Sequence, residues 1–264
     1  MNRKHAALLF GFLLVSLVAV SVFAVDTVST LKHYDIRDYG AVPNSTGAAA
    51  ANVTAINNAS TAASAVVGDT NRSVVYFPPG EWFVNAQLKA INKVHYQGAG
   101  ITTTLVTSTV NSLAVFEGFG GTAVPTHCPA TAPCFSPVNT NLNQVHFSDL
   151  TISRNITAIA GGHGIVLLAD GTGCSGTCNT GFSDLKNVFI EKQYNGLRWG
   201  PNNGGRWVSV TTENSESDAI FMKGSNGQYI DVSAGKSKGS AWVVQPDSGE
   251  TIDGGTWSNC TLWD

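Results

Sequence analysis

An apolar pattern repeats at nearly constant intervals in the second half of the chain, and it limits the possible folds more than any other feature. Each repeat contains two β-branched or apolar residues separated by one residue. The pairs are Leu150/Ile152, Val188/Ile190, Val208/Val210, Ile230/Val232 and a degenerate Ile252/Gly254. Their intervals are 38, 20, 22 and 22 residues. The long interval contains Asp170–Gly181, which we interpret as a loop inserted into an otherwise regular turn.

A second strand is predicted within each unit, because a polar residue and a small residue are followed by alternating apolar residues. This pattern starts at His163, Asn195, Asp218, Ser240 and Asn259. Units of this length are too short for propeller blades and lack the pattern of leucine-rich repeats. The sequence therefore predicts an all-β fold, a parallel β-helix. A β-sandwich also alternates at short spacing, but its strands rarely repeat one register five times.

Stacked coils of a β-helix lie about 4.8 Å apart, so residues in the same register form ladders along the surface. The third and fifth positions of the second strand are predicted to point inward: Ile165, Leu167, Leu197, Trp199, Ile220, Met222, Trp242 and Val244. The fourth position is predicted to form an exposed row of Val166, Arg198, Phe221 and Val243. This row is expected to line any surface groove.

One helix is predicted in the region that precedes the repeats. A β-helix has an open apolar end that needs a cover. The segment Gly47–Val66 is rich in alanine and offers Val53, Ile56 and Ala63 as apolar contacts. We expect it to be an N-terminal capping α-helix.

The composition favours one domain and excludes some partners. Charged residues make up 12% of the 264 residues and the net charge is −3, so the chain has no basic field for nucleic acid. The 28 glycines suit many short strands joined by tight turns. We expect an extracellular all-β domain over residues 25–264.

Residues 1–24 predict a secretory signal that is cleaved after Ala24. Arg3 and Lys4 precede an apolar run from Ala6 to Phe23, and small residues stand at the cleavage position. The alternative is an uncleaved anchor, since the run just reaches membrane-spanning length. With cleavage, the protein is secreted, extracellular or periplasmic, and has no membrane partner.

Four of the five cysteines predict two local disulfides, Cys128 with Cys134 and Cys174 with Cys178. A metal site formed by these four with His127 is the alternative, but their spacings fit zinc poorly. No metal is therefore predicted. The remaining Cys260 is expected to be a small buried apolar residue.

The stretch "VVYFPPGEWFV", Val74–Val84, permits either a hairpin or a corner between successive strands of one coil. The downstream repeat favours the corner. Proline fixes φ and cannot donate to a sheet ladder, so Pro78 and Pro79 suit a position between strands.

Several pieces occur in a recognisable order over residues 34–106. They are Asp38-Tyr39-Gly40-Ala41, the predicted helix, Tyr76-Phe77-Pro78-Pro79-Gly80, and Gly98-Ala99-Gly100 before Thr103-Thr104-Leu105. In these pieces the chain resembles the N-terminal region of the pectate lyase superfamily, in its rhamnogalacturonase and epimerase-like group. The resemblance implies a right-handed, single-stranded, pectin lyase-like β-helix. Residues 145–264 match only as generic coils.

The chain departs from this group before the helix. The group usually carries an acidic stretch there, whereas this chain has Pro43–Gly47. We expect Asn44, Ser45 or Thr46 to cap the N-terminus of the helix in place of the acidic residues of the group.

The resemblance implies hydrolase, lyase or epimerase chemistry on acidic polysaccharides. Hydrolases need two carboxylates flanking the glycosidic bond. Glu213, Glu216 and Asp218 lie in one predicted turn and are the candidates, with a solvated polar turn as the alternative. Of the polygalacturonase motifs only Gly162-His163-Gly164 is present, so that mechanism is not supported.

His163 is a further catalytic candidate, or else a turn residue bonded to the backbone. It shares a predicted register with Asp218 two coils away, which is about 10 Å. Arg198 is a candidate clamp for a uronate carboxylate, and a surface ion pair with Glu191 or Glu213 is its alternative. Phe221 and Lys223 lie on the same face and complete the predicted substrate-binding set. The reaction needs no cofactor, except that a lyase could use Ca²⁺.

These features predict a secreted protein that binds or acts on an acidic, pectin-like polysaccharide, as a lyase or glycoside hydrolase. The alternative is a non-catalytic β-helix for adhesion or surface scaffolding. A phage tail-spike module is disfavoured by the signal. Asp264 follows a predicted strand without a polar cap. We therefore expect further C-terminal coils or an oligomeric partner there.

Overall fold

The computed structural model describes residues 31–65, 73–120, 142–156, 161–169, 180–200, 203–223, 226–245 and 254–263. The predicted signal at residues 1–24, the cysteines Cys128, Cys134, Cys174 and Cys178, and nearly all of the Asp170–Gly181 insertion lie outside these ranges. Within the described part of the chain, no helix is long and apolar enough to cross a bilayer.

The described residues form one α-helix, two short 3₁₀ turns and seventeen strands. The 3₁₀ turns are Ile36–Tyr39 and Thr46–Ala48, and helix α1 is Ala49–Ala65. The strands are β1 (His33–Asp35), β2 (Ser73–Phe77), β3 (Gly80–Val84), β4 (Leu88–Lys89), β5 (Val94–Gly98), β6 (Thr104–Ser108), β7 (Phe116–Gly120), β8 (His146–Arg154), β9 (Ile165–Ala169), β10 (Asp184–Glu191), β11 (Leu197–Gly200), β12 (Asn203–Glu213), β13 (Ile220–Met222), β14 (Asn226–Gly235), β15 (Trp242–Val244), β16 (Thr256–Ser258) and β17 (Thr261–Trp263).

The strands lie on three sides of a coil, and every observed strand pair is parallel. The first side contains β1, β2, β5, the first halves of β8, β10, β12 and β14, and β16. The second side contains β3, β6, the second halves of the same long strands, and β17. The third side is a separate six-stranded sheet in the order β15-β13-β11-β9-β7-β4. The predicted parallel β-helix is therefore confirmed, with the right-handed sense that parallel crossovers adopt, and the β-sandwich is wrong.

A left-handed residue bends each of the coils that contain β8, β10, β12 and β14, between its first and second sides. Asp149, Asn187, Ser209 and Asp231 have φ between 52° and 58° and divide the long strands. Short polar side chains tolerate this conformation, and Asn187 Nδ2 donates to Asp149 Oδ1 at 2.9 Å. In the first coil, Pro78 and Pro79 occupy the same corner, between β2 and β3. The predicted corner is confirmed.

The register between the second and third repeats differs from the prediction. Val188 pairs with Val210, and Val210 pairs with Val232, so both intervals are 22 residues. The predicted alignment of Val208 with Val188 is two residues out. Val208 pairs with the exposed Lys186 and lies on the outer face, because the left-handed Ser209 interrupts the alternation between Val208 and the buried Val210.

The last predicted repeats are also wrong. Ile230 pairs with Ser258, so Ile252/Gly254 does not continue the ladder. The segment that starts at Asn259 was predicted on the third side, but Thr261–Trp263 pairs with β14 on the second side. Its apolar alternation is the same on either side of the coil.

The core consists of inward side chains stacked rung on rung. On the first side the stacked positions are Val75, Tyr96, Phe147, Leu185, Trp207, Tyr229 and Trp257. Ring centroids lie 5.1 Å apart for Tyr96 and Phe147 and 5.2 Å apart for Trp207 and Tyr229. On the third side, the predicted inward residues from Ile165 to Met222 are fully buried, while Trp242 and Val244 are half-buried. Cys260 is a free thiol that is only partly buried, packed against this core.

Helix α1 covers the first coil. It packs on strands from all three sides, β2, β3 and β4, and Ile56 and Ala63 are fully buried. The buried Asn52 accepts from Val42 N at 2.7 Å and donates to Phe83 O at 3.0 Å. These bonds fix the helix to the corner between β2 and β3, and the predicted capping helix is confirmed.

The predicted side-chain cap at the start of this helix is not formed by Ser45 or Asn44. Ser45 precedes the 3₁₀ turn that leads into α1, and its side chain makes no capping bond. Asn44 has φ 57° and its Oδ1 accepts from Glu81 N at 3.0 Å. Asn44 therefore ties the loop to β3 instead of capping the helix.

We expect Trp207→Ala to destabilise the protein by about 3–5 kcal/mol, because Trp207 is fully buried in the middle of the aromatic stack. Chemical denaturation measures the loss. Trp257→Ala is the matched control, since Trp257 occupies the same row but is 45% exposed. A loss in the control equal to that of Trp207→Ala would contradict the role given to the stack.

Candidate functional site

The outer face of the third side carries the row that the sequence placed in a groove. In register order its residues are Lys89, Glu117, Val166, Arg198, Phe221 and Val243. Val166 is fully buried, in a small cluster with Ala114, Phe119 and Leu168. Its predicted exposure is wrong, because these apolar side chains pack with it on the outer face. The row becomes accessible at Arg198.

Arg198 lies over the ring of Phe221 on the next rung, with its guanidinium carbon 4.7 Å from the ring centroid. Its Nε is buried and has no hydrogen-bond partner. Burial lowers the pKa of Arg198, while the nearby Asp218 acts in the opposite direction. No carboxylate among the described residues forms an ion pair with it. The guanidinium is therefore held in place and available to an anion.

The alternative ion pair predicted for Arg198 is not formed. Glu191 pairs with Lys192 at 3.3 Å, and Glu213 pairs with Lys236 at 3.2 Å. These contacts lie at the turn between the second and third sides, where Lys192 and Lys236 take corresponding left-handed positions. The glutamates are neutralised by lysines and leave Arg198 free of them.

Each of the three predicted catalytic acids is bonded to the following coil. Glu213 and Glu216 contact the amines of Lys236 and Lys238, respectively. Asp218 Oδ1 accepts from Ser240 N at 2.9 Å. The structure therefore does not present them as a pair facing an open position. Only Asp218 also acts on the charge of Arg198.

His163 is almost completely buried, with 5% exposure, and its carbonyl accepts from Val115 N at 2.9 Å. Its ring lies edge-on to Tyr194, with centroids 5.9 Å apart. The predicted register with Asp218, two coils away, follows from the pairing of β9, β11 and β13. His163 is therefore buried beside the more exposed Tyr194.

The glycines beside His163 have a packing role. A Cβ on Gly162 would lie 2.4 Å from Arg154 Nη2, and one on Gly164 would lie 2.5 Å from the carbonyl oxygen of Gly196. Both positions thus require glycine for close packing. Close packing between coils therefore explains why Gly162-His163-Gly164 matches the catalytic Gly-His-Gly pattern.

Sequence reasoning missed Arg154, which lies inside the coil with 1% exposure. Its guanidinium donates to Gln193 Oε1 at 2.8 and 3.1 Å, to Leu113 O at 2.8 Å and to Val110 O. Burial lowers its pKa to about 10. The sequence feature that could have identified Arg154 is its inward position in the alternation Leu150-x-Ile152-x-Arg154. It links successive coils behind His163.

Sequence reasoning also missed Tyr194, which is 37% exposed. Its backbone N donates to Gly162 O at 2.7 Å, and its side chain is near enough to act on the charge of Arg198. The sequence feature that could have identified Tyr194 is its position as an aromatic residue directly before the repeat that starts at Asn195. Tyr194, Arg198, Asp218 and Phe221 together are called the Arg198 cluster below.

Lys223 lies two residues beyond Phe221, half-buried at the end of β13, where its backbone N donates to Trp199 O at 2.7 Å. Among the described residues, no group of three or more His, Cys, Asp or Glu side chains could hold a metal ion. The candidate site therefore consists of one cation, aromatic faces and one acid.

Comparison with known proteins adds information on the fold. No family model and no curated protein matches the sequence. Among solved structures, the chain is similar to the A-modules of Azotobacter vinelandii mannuronan C-5 epimerases AlgE6 and AlgE4, with TM-scores of 0.57 and 0.61 and identities of 18% and 15%. The similar regions cover 85% and 86% of this chain, and 62% and 58% of the AlgE6 and AlgE4 chains, respectively.

A putative glycosyl hydrolase from Parabacteroides merdae is similar over 88% of this chain and 98% of its own, with a TM-score of 0.51 and 11% identity. At these identities the similarity shows the fold alone. It agrees with the β-helix expected from the superfamily resemblance.

We expect Gly162→Ala to destabilise the protein by about 1–3 kcal/mol, because the new methyl group would overlap the buried guanidinium of Arg154. Gly47→Ala is the matched control, since its nearest neighbour is Ser45 Oγ at 3.9 Å. Thermal unfolding of both variants measures the difference. Equal stabilities would show that Arg154 moves aside freely.

Proposed function

We propose that the protein binds an acidic polysaccharide along the outer face of the third side, with Arg198 holding a uronate carboxylate. The observation that carries the proposal is the half-buried guanidinium without an anionic partner among the described residues. A guanidinium binds a carboxylate through two parallel hydrogen bonds. Partial burial strengthens such a bond relative to one in bulk water.

The aromatic residues of the cluster support a sugar as the ligand. Phe221 holds the guanidinium by a cation–π contact, so less side-chain freedom is lost on binding. Tyr194 offers an exposed ring and a hydroxyl. An apolar ring face beside a carboxylate clamp suits a sugar acid, which has both an apolar face and a charge.

The similar structures favour a polysaccharide over other anions. Two of them are named mannuronan C-5 epimerases and one a putative glycosyl hydrolase. The predicted signal at residues 1–24 favours a secreted protein that meets such polymers outside the cell or in the periplasm. Adhesion without catalysis is consistent with the same binding face.

We expect Arg198→Ala to weaken binding of polygalacturonate or alginate oligosaccharides roughly 10- to 100-fold, because a hydrogen-bonded charge is lost. Isothermal titration at fixed salt measures the affinity. Arg198→Lys keeps the charge but not the two-pronged geometry, so it should recover only part of the affinity.

Arg206→Ala is the charge-matched control, since Arg206 is exposed on the first side. Its affinity should equal that of the wild type. The same affinity for a neutral glycan and for the acidic oligosaccharides, or equal losses in Arg198→Ala and Arg206→Ala, would contradict the proposal.

Lyase activity is a second candidate, favoured by Tyr194, whose ring lies against that of His163 and which acts on the charge of Arg198. β-Elimination requires a neutralised carboxylate and a group that removes the neighbouring proton. Arg198 would neutralise the carboxylate, and Tyr194 as its phenolate would remove the neighbouring proton. The bond to the leaving glycosidic oxygen would then break, and Tyr194 would return the proton to that oxygen. Hydrolysis has less support, because Glu213, Glu216 and Asp218 are all engaged by the next coil.

We expect an activity screen on pectin, rhamnogalacturonan and alginate to yield unsaturated products that absorb in the ultraviolet. Tyr194→Phe should lower turnover about 100-fold or more while leaving oligosaccharide affinity near the wild-type value. New reducing ends without ultraviolet absorbance would indicate a hydrolase. No products in either assay, together with retained binding, would leave the adhesion function.

A further inference from the structure

A second polar cluster lies on the outer face of the first side. His95, His146 and Asp184 occupy consecutive rungs of one outward row. Ser148 lies two residues after His146 and therefore on the same face. Their neighbours Tyr96, Phe147 and Leu185 point inward into the core stack, which fixes the outward direction of all four side chains.

Two short contacts organise this cluster. Ser148 Oγ and His95 Nε2 lie 2.9 Å apart, and His146 Nδ1 lies 3.0 Å from Asp184 Oδ2. The two imidazole rings meet edge to face, with centroids 6.0 Å apart. Asp184 is itself fixed, since its Oδ1 accepts from Arg206 N at 2.8 Å. The row therefore contains a serine–histidine pair beside a histidine–aspartate pair.

One nitrogen of the cluster has no structural role. His146 is 5% exposed, and its Nε2 is buried without a hydrogen-bond partner. Leaving such an atom unsatisfied costs about 1–3 kcal/mol in general. The contact between Nδ1 and Asp184 Oδ2 sets the orientation of the ring, and with it the direction of Nε2. Nε2 is therefore a fixed polar atom that has no hydrogen-bond partner in the described part of the chain.

We propose that this cluster is a second active site, which hydrolyses small acyl esters with Ser148 as the nucleophile. His95 is the general base, since its Nε2 is within hydrogen-bond reach of the serine hydroxyl. For the oxyanion step we assign His146, held by Asp184, a proton on each ring nitrogen, so that Nε2 donates to the oxyanion. The site uses neither Arg198 nor the third side, so it does not depend on the polysaccharide proposal.

The reaction balances with water as the second substrate. Ser148 Oγ bonds to the ester carbon while His95 takes the hydroxyl proton, and the carbonyl oxygen becomes the oxyanion. The ester C–O bond then breaks, and His95 returns the proton to the leaving alcohol. Water attacks the acyl-serine, again losing its proton to His95. A carboxylic acid leaves, and Ser148 regains its proton.

The burial of the cluster limits the acyl group. Ser148 is 5% exposed, which leaves little space around its oxygen. On the next rung, the paired residue Lys186 is exposed, and we place the approach of the ester on that side. An acetyl-sized group suits this approach, while the alcohol portion extends toward solvent. The substrate class is therefore a short-chain ester of a larger alcohol.

The test uses the full chain with p-nitrophenyl acetate and a fluorophosphonate probe. We expect hydrolysis above the buffer rate and a single probe adduct that peptide mass spectrometry assigns to Ser148. Ser148→Ala should abolish both signals, and His95→Gln should lower turnover about 10²–10⁴-fold. Circular dichroism verifies that each variant is folded.

Two variants serve as matched controls. Ser153→Ala removes another buried, hydrogen-bonded outward serine, whose partner is Glu191. His33→Gln removes an exposed histidine from β1 on the same side. Both should hydrolyse at the wild-type rate. Absence of hydrolysis and labelling in the wild type, an adduct at another residue, or full activity in Ser148→Ala would overturn the proposal.

Discussion

The stacking of inward side chains on the first side sets the register of the whole structure. Each ring or aliphatic group from Val75 to Trp257 contacts the equivalent group of the adjacent coil. Because strands alternate, a fixed inward row also fixes the outward rows on that side. The corners, in turn, pass the same register to the second and third sides. The position of Arg198 directly beside Phe221 depends on this stack.

The charged side chains around the coil pair in a way that leaves Arg198 without a carboxylate partner. Glu191 and Glu213 are neutralised by lysines at one corner, and Arg154 is satisfied inside the coil by neutral acceptors. Arg198 faces outward over Phe221, is half-buried, and has no carboxylate partner among the described residues. A half-buried guanidinium that lies beside aromatic rings and lacks a carboxylate partner favours recognition of an anionic ligand over a purely structural role.

Much of the fold could be predicted from the sequence, because a repeated alternation leaves few architectures and the Pro78–Pro79 corner has a clear backbone reason. The exact register could not, since the left-handed corner at Ser209, which separates the outward Val208 from the inward Val210, has no signal in the apolar alternation. The exposure of Val166 also failed, because burial on the outer face depends on Phe119 and Leu168, which are distant in sequence. For the site, Arg198 and Phe221 followed from the row. Tyr194 and Arg154 did not, since their roles come from contacts between coils.

The central claim is that Arg198 receives the carboxylate of an acidic sugar. Nuclear magnetic resonance of arginine Nε–H groups, titrated with a defined oligogalacturonate, tests it directly, with Arg198→Lys used to assign the signal. We expect a saturable shift of the Arg198 Nε–H signal and slower exchange of this Nε proton with water, while the Arg206 signal stays constant. Saturable binding that leaves the Arg198 signal unchanged would contradict it.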